Sequence, residues 1–259
     1  MKTLGSRILK YGVFREGQRG LADRYPQVLR SVRQQPIGGH DEFTAQTVCK
    51  LNADIGGRRV ASPYCFLPST SLLEENLIMP EGKCATAAHE SHTAVLSDSS
   101  VTVIENYRAH LSNLVIALEE RDRRERKLET KKAVAETSRS EMARRVFALS
   151  EPGIARAIQP MPFFFFLDMS RNWWTEVTPS GISLVLGDLW PHSIDECRRQ
   201  ATRNLKRLGV PDYLIEMQQG RFLGSNPPFG TQRQLTVFQF RDLLLPALNL
   251  YMEDLGWNV

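Results

Sequence analysis

This sequence predicts a mainly α fold with a small β-sheet, and three helical stretches carry that expectation. From Thr236 to Leu255, the side chains Phe240, Leu243, Leu244, Leu248 and Met252 recur at helical spacing. Ser97-Asp98-Ser99-Ser100 precedes Val101, Ile104, Leu111, Leu114, Val115 and Leu118, which return in three- and four-residue steps. Serine and aspartate oxygens accept from the free N–H groups of a first turn, so a long, charged helix is expected near 97–135 under that cap. Asp195 to Gly220 reads as helix, tight turn and second helix, with Gly209 ending the first and Pro211 opening the second. Strand signals are short: Asn76–Met79 before a Pro80-Glu81-Gly82 turn, a return strand at Thr93–Leu96, and the aromatic run Met161–Leu167 between prolines.

Bulk properties narrow the class. A chain of 259 residues, 42% apolar and 24% charged, can bury one large core or two small ones. Its longest apolar run, Met161–Leu167, is far too short to span a bilayer, so no membrane partner is expected. The N-terminal twenty residues are basic but lack the apolar block of a secretory signal. Cysteines 49, 65, 84 and 197 form no Cys-x-x-Cys pair, which predicts reduced thiols in a cytoplasmic protein. The net charge of +4 permits a polyanionic partner without demanding one.

In chain order, residues 1–40 read as an N-terminal extension, with a short helix near Ala22–Arg33. It is an arm for a partner or a poorly ordered terminus. Asp41–Asp54 is a helix with Phe43, Val48, Cys49 and Leu51 on one side. Gly56-Gly57 breaks it, and Arg58 follows directly. Lys83 leaves the Pro-Glu-Gly turn of the expected hairpin. Cys84, His89 and His92 offer three metal ligands at an unusual spacing with no fourth nearby, so no metal site and no cofactor are expected. Glu119–Lys132 alternates charge signs and reads as a solvated helix laced with i,i+4 pairs. Ala143–Ile158 is a further helix, broken at Pro152. Trp173-Trp174 reads as a loop covering the core, and Thr178 caps a short helix. His192 falls in a loop, and Phe222–Gly230 is rich in turn residues.

The helix pair at Asp195–Arg221 resembles the second half of a tyrosine recombinase (phage integrase) catalytic domain. That family has a His-x-x-Arg helix, a turn at Gly, a helix ending in Leu-Gly-His, and then a nucleophilic tyrosine. Here Asp195-x-x-Arg198, Gly209 and Gln219-Gly220-Arg221 stand in those places. Gly56-Gly57-Arg58 resembles the turn bearing the family's first arginine, and Lys83 its hairpin lysine. Tyr107-Arg-Ala-His110-Leu111 fits the helix that follows the hairpin, with Tyr107 as a packing residue. Gly224-x-x-Pro227-Pro228-Phe229-Gly230 and Leu245-Pro246-Ala247-Leu248 are similar to segments of integrase-like proteins of mobile elements. The resemblance covers residues 41–259 and implies a catalytic-type domain there.

The resemblance also implies a chemistry and a departure from it. In the family, arginines hold phosphate oxygens, a lysine protonates the leaving oxygen, and tyrosine attacks phosphorus. Arg58, Lys83, Arg198 and Arg221 are therefore the phosphate-pocket candidates, with double-stranded DNA as partner. Asp195 replaces a histidine, and a carboxylate there opposes phosphate unless Arg198 or Arg199 pairs with it. Gln232 stands where the tyrosine is expected, and no tyrosine lies between Tyr213 and Tyr251. Three expectations follow. One is a DNA-binding relative without strand-cleaving activity, alone, self-associated or beside an active recombinase. The second is an active enzyme using a displaced tyrosine such as Tyr251 or one from a partner. The third is a scaffold that binds no DNA and docks through the helices at 97–148.

Overall fold

Apolar spacing and capping residues set most element boundaries. The computed structural model describes residues 25–34, 37–56, 72–73, 76–78, 93–129, 141–150, 162–168, 173–187, 194–220 and 235–257, and these are mainly helical with two small antiparallel sheets. The helices are α1 (25–34), α2 (His40–Ile55), α3 (Asp98–Glu129), α4 (Glu141–Ser150), α5 (Pro179–Leu186), α6 (Ile194–Arg207), α7 (Asp212–Gln218) and α8 (Val237–Asp254). Strands β1 (Leu72–Leu73), β2 (Leu77–Ile78) and β3 (Ala94–Val95) form one sheet in that order. Strands β4 (Phe165–Asp168) and β5 (Trp173–Glu176) form the other.

Helix α2 lies at the centre, with α3, α5, α6 and β4 packed around it. Every residue from Thr44 to Ile55 is buried, not one face alone. Residues 25–34, assigned from sequence to the N-terminal extension, form α1 and bury Tyr25, Leu29 and Val32 in the same core. A second, smaller cluster joins Leu205, Val210, Leu214, Ile215 and Met217 to Phe240, Leu244 and Leu248, with Leu77 and Val95 beneath. Helices α6 and α8 contribute to both clusters, so they bind the two halves together.

The caps follow the residues that predict them. Ser97 Oγ accepts from Ser100 N–H at 3.3 Å at the start of α3. Thr178 Oγ1 accepts from Gly181 N–H at 3.1 Å under α5. Thr236 and Gln239 form a reciprocal capping box on α8. Gly209, at φ 80°, closes α6 while Val210 N–H reaches back to Leu205 O at 3.0 Å. Helix α3 runs about 48 Å at 1.5 Å per residue, and its charged end carries Glu119–Arg123 and Glu120–Arg124 pairs at 3.7 and 3.8 Å. The β2–β3 pair is antiparallel, as the hairpin expectation requires, with Leu77 opposite Val95.

Three details differ from the sequence expectation. Leu243 is 53% exposed, and Tyr251 takes the buried position on α8 instead. At 100° per residue, Tyr251 falls between Phe240 and Leu244 within the buried stripe, whereas Leu243 lies about 60° outside it. Trp173 and Trp174 lie in strand β5, not in a loop, because Leu167 and Asp168 pair with them. Pro211 is the N-cap of α7, and the helix begins at Asp212.

A histidine pair docks β4 on α2. His40 Nε2 lies 3.0 Å from Phe165 O, a carbonyl that can only accept, so this nitrogen carries the proton. His40 Nδ1 then accepts from His110 Nε2 at 3.0 Å. Burial, with His110 beside it, lowers the His40 pKa to about 3. One residue on, Asp41 Oδ1 accepts from Leu167 N–H at 2.8 Å. A histidine that titrates near 6.5 when unfolded and near 3 when folded leaves stability intact above pH 6.5 and erodes it as pH falls toward 3. Between pH 7 and 5 the erosion comes to about 2 kcal/mol by the linkage relation. Asp41 is shifted upward by burial and works in the opposite sense at lower pH. Urea midpoints at pH 7 and pH 5 will therefore separate for the wild type, and His40→Gln will narrow the gap, with the half-buried His110, whose pKa burial also lowers, contributing the rest; equal separation in both proteins rules out His40 as a source.

Candidate functional site

The last turn of α7 ends in Gln218-Gln219-Gly220, and its two glutamines point to different neighbours. Buried positions Leu214, Ile215 and Met217 continue to Gln218 at helical spacing, which takes this amide to the apolar face. There it meets the outer edge of β3. Val95 N–H donates to Gln218 Oε1 at 2.8 Å, and Gln218 Nε2 donates to Val95 O at 2.7 Å. One side-chain amide thus supplies the donor and acceptor that a further strand would supply. The same Nε2 lies 3.5 Å from Asp54 O, near the end of α2.

Gln219 turns to α6. Arg198 donates from Nε to Gln219 Oε1 at 3.2 Å and from Nη2 to Gln219 O at 3.0 Å. Gln219 Nε2 donates to Thr202 Oγ1 at 2.8 Å and to Arg198 O at 3.2 Å. The end of α2 closes on this amide. Gly56 has φ 62°, and a Cβ there would sit 2.9 Å from Gln219 Nε2 and 3.4 Å from the Ala201 methyl. No side chain larger than hydrogen fits without displacing Gln219. Glycine is needed twice over, for the left-handed turn and for the approach.

Four chain segments therefore meet: the end of α2 at Gly56, β3 at Val95, α6 at Arg198 and the end of α7 at Gln218–Gly220. Of the sequence candidates, Arg198 is here, 9% exposed, its guanidinium edge held by Gln219. Asp195 lies in the first turn of α6, three residues ahead of Arg198. Arg58, Lys83, Arg221 and Gln232 lie outside the described residues, as do His192 and the Cys84, His89 and His92 set. Their chain neighbours are placed: Gly56 is two residues before Arg58, β2 and β3 flank the segment with Lys83, and Gly220 precedes Arg221. Among the described residues, no group of three or more His, Cys, Asp or Glu side chains is arranged to hold a metal ion. Among them, too, no helix is long and apolar enough to cross a membrane.

The tyrosines bear on the chemistry. Tyr251 is fully enclosed, and burial holds its hydroxyl well above the ordinary range, so it is not placed to attack a phosphate. Tyr107 is a packing residue, as expected, hydrogen-bonded to Thr44 at 2.9 Å. Tyr25 is enclosed in the core. Tyr213 is exposed, but it sits in the first turn of α7, at the opposite end from Gln219. Tyr11 and Tyr64 lie outside the described residues.

Beside this junction sits a charged network that the sequence did not announce. Asp54 Oδ2 accepts from the Ser97 N–H and hydroxyl, both at 2.8 Å, at the N-terminus of α3. Lys50 donates to Ser99 O and lies 4.9 Å from the Trp257 ring centroid. Burial lowers the Lys50 pKa to about 8 and raises that of Asp54, against the pull of Ser100 and Ser97. Enclosure of both groups makes this a brace between α2 and α3 and not a reaction centre.

No protein-family model, no curated protein and no solved structure matches this chain.

Gln218 yields a direct check on the junction. Gln218→Ala leaves a buried N–H and a buried C=O of Val95 without partners. Each orphaned group costs about 1–3 kcal/mol, so the variant will lose about 2–6 kcal/mol in urea denaturation. The Val95 amide will exchange with deuterium faster than in the wild type. An unchanged midpoint would show that the amide does not hold the sheet edge.

Proposed function

We propose that this chain is a DNA-binding, integrase-like protein of the tyrosine recombinase type, with a related fold and without strand-cleaving activity. The observation that carries this reading is the meeting of Gly56, Arg198 and Gln219–Gly220 at one junction. Residues 145 positions apart in sequence, Gly56 and Ala201, come into contact there. In the chain, Arg58 follows Gly56 by two residues and Arg221 follows Gly220 directly. An arginine suits phosphate because its planar fork offers parallel donors and its charge does not titrate near neutrality. The antiparallel β2–β3 pair, tied to α7 through Gln218, supports the same reading by bracketing the segment with Lys83.

Cleavage is a separate matter. It needs a nucleophile and groups that move protons. Gln232 has no nucleophilic oxygen to form a phosphoprotein bond, and an arginine at 221 cannot exchange a proton near pH 7. Tyr251 is enclosed. The protein would hold duplex DNA through its phosphates, as a regulator, in self-assembly or as the companion of an active recombinase.

Two measurements test this. Three phosphate contacts give a salt slope of about −2.7, so the dissociation constant for duplex DNA will rise about 40-fold between 50 and 200 mM salt. Arg58→Ala will weaken that binding by about 1–3 kcal/mol. Salt-independent or absent binding would instead favour a helical scaffold docking through residues 97–148. A nicked suicide duplex incubated with the protein will leave no covalent adduct on a denaturing gel. A trapped adduct would establish an active enzyme with a tyrosine from elsewhere.

A further inference from the structure

Gln219 makes more polar contacts across the junction than its place at the end of a short helix requires. Its side-chain oxygen and its main-chain oxygen both accept from the Arg198 guanidinium, at 3.2 and 3.0 Å. Its side-chain nitrogen returns to the α6 backbone at Arg198 O and to Thr202 Oγ1. Thr202 Oγ1 in turn donates to Arg198 O at 2.9 Å. The amide cannot swing away, because Gly56 closes on it from the end of α2. Two acceptors from one residue, applied to Nε and Nη2, fix both the position and the plane of a guanidinium. The resemblance noted above puts a leucine where Gln219 stands, and a leucine offers no side-chain acceptor.

We propose that Gln219 is a positioning residue: it locks the Arg198 guanidinium in the orientation in which it meets a DNA phosphate at the α2–α6–α7 junction. This rests on the DNA-binding reading and deepens it, since it names what sets the geometry of one phosphate contact. A long arginine side chain loses rotamer freedom when it grips a ligand, and that loss weakens binding. In this protein the loss is taken on folding, through Gln219, and the bound phosphate meets a donor already in place. Gly56 belongs to the same device, because its missing Cβ is what lets α2 press on the amide.

The test separates positioning from simple support of the fold. Binding of a fluorescent mixed-sequence duplex is followed by anisotropy across a salt series for the wild type, Gln219→Leu, Gln219→Glu and, on a different element, Thr236→Ala. The Arg198 Nε–H signal is followed by ¹⁵N NMR in each protein without DNA. Gln219→Leu will weaken binding about tenfold, reduce the slope of log Kd against log salt by about one, and broaden the Arg198 signal. Gln219→Glu keeps the acceptor and folds with the Arg198 signal retained, but its charge competes with phosphate and the slope again falls by about one. Thr236→Ala lowers stability at the α8 cap and leaves the slope at its wild-type value. If the wild type binds with a steep salt slope and both Gln219 variants keep that slope, the positioning role is overturned while the DNA-binding reading stands. A wild type that shows no salt-dependent binding removes both.

Discussion

Everything in this structure depends on α2 being buried on all sides. A helix with one apolar face can leave its polar residues in water; α2 cannot, since Thr44 through Ile55 are all enclosed. Several of its polar groups find protein partners, because a buried donor or acceptor without one is costly. The partners found are what orient the neighbours. His40 and Asp41 hold β4, Thr44 meets Tyr107 of α3, and Lys50 and Asp54 grip the first residues of α3. Hydrophobic packing makes the centre stable, while these polar contacts fix how each surrounding element is turned. Buried ionic groups are weak evidence of net stability. Here their geometric effect is plain, since Asp54 meets the N-terminus of α3, where a negative charge suits the helix dipole.

The same burial sets up the junction. Because α2 is fixed along its length, its end at Gly56 is fixed as well, pressed against Gln219 and Ala201. Helix α6 is held by both hydrophobic clusters, and α7 follows it through the Gly209 turn. Three helix segments thus reach one place from rigid supports and not from loops. A binding constellation built on such supports keeps its geometry better than one carried by mobile connections.

Much of the architecture could be read from residue order. Ser97, Thr178 and Thr236 announced their helices because a short side-chain oxygen ahead of an apolar period has few other uses. The pairing of β2 with β3 was legible from two short apolar runs. The depth of α2 was not, because Lys50, Asn52 and Asp54 look like the solvated face of an amphipathic helix. Only the surrounding elements, distant in sequence, reveal that no face is solvated. Trp173 and Trp174 were missed for a related reason: strand pairing is decided by the partner strand, and two tryptophans in a row carry no period of their own. At the junction, Arg198 was legible from its helix and turn. Gln218 and Gln219 were not singled out, although Leu214, Ile215 and Met217 place Gln218 on an apolar face where an amide must have a task. That period was the available signal. For Gln219 no local signal exists, since its partners Arg198 and Gly56 come from other segments.

If the proposed relation to recombinases holds, the residues at 221, 232 and 195 gain meaning when taken together. Histidine to arginine at 221 keeps a positive charge and forfeits a proton shuttle. Tyrosine to glutamine at 232 forfeits the covalent step and leaves an amide able to hydrogen-bond. On the proposed reading, both residues would lack reactivity while remaining able to hold phosphate, as in a chain that binds without cutting. Asp195 alone runs the other way, a carboxylate where a phosphate partner would want a donor. Asp195 is the second residue of α6, in the turn where unpaired backbone N–H groups and the helix dipole favour negative charge. The helix start fixes where Arg198 emerges three residues later. On the DNA-binding reading, the start of α6 supports the arginine that would handle the substrate.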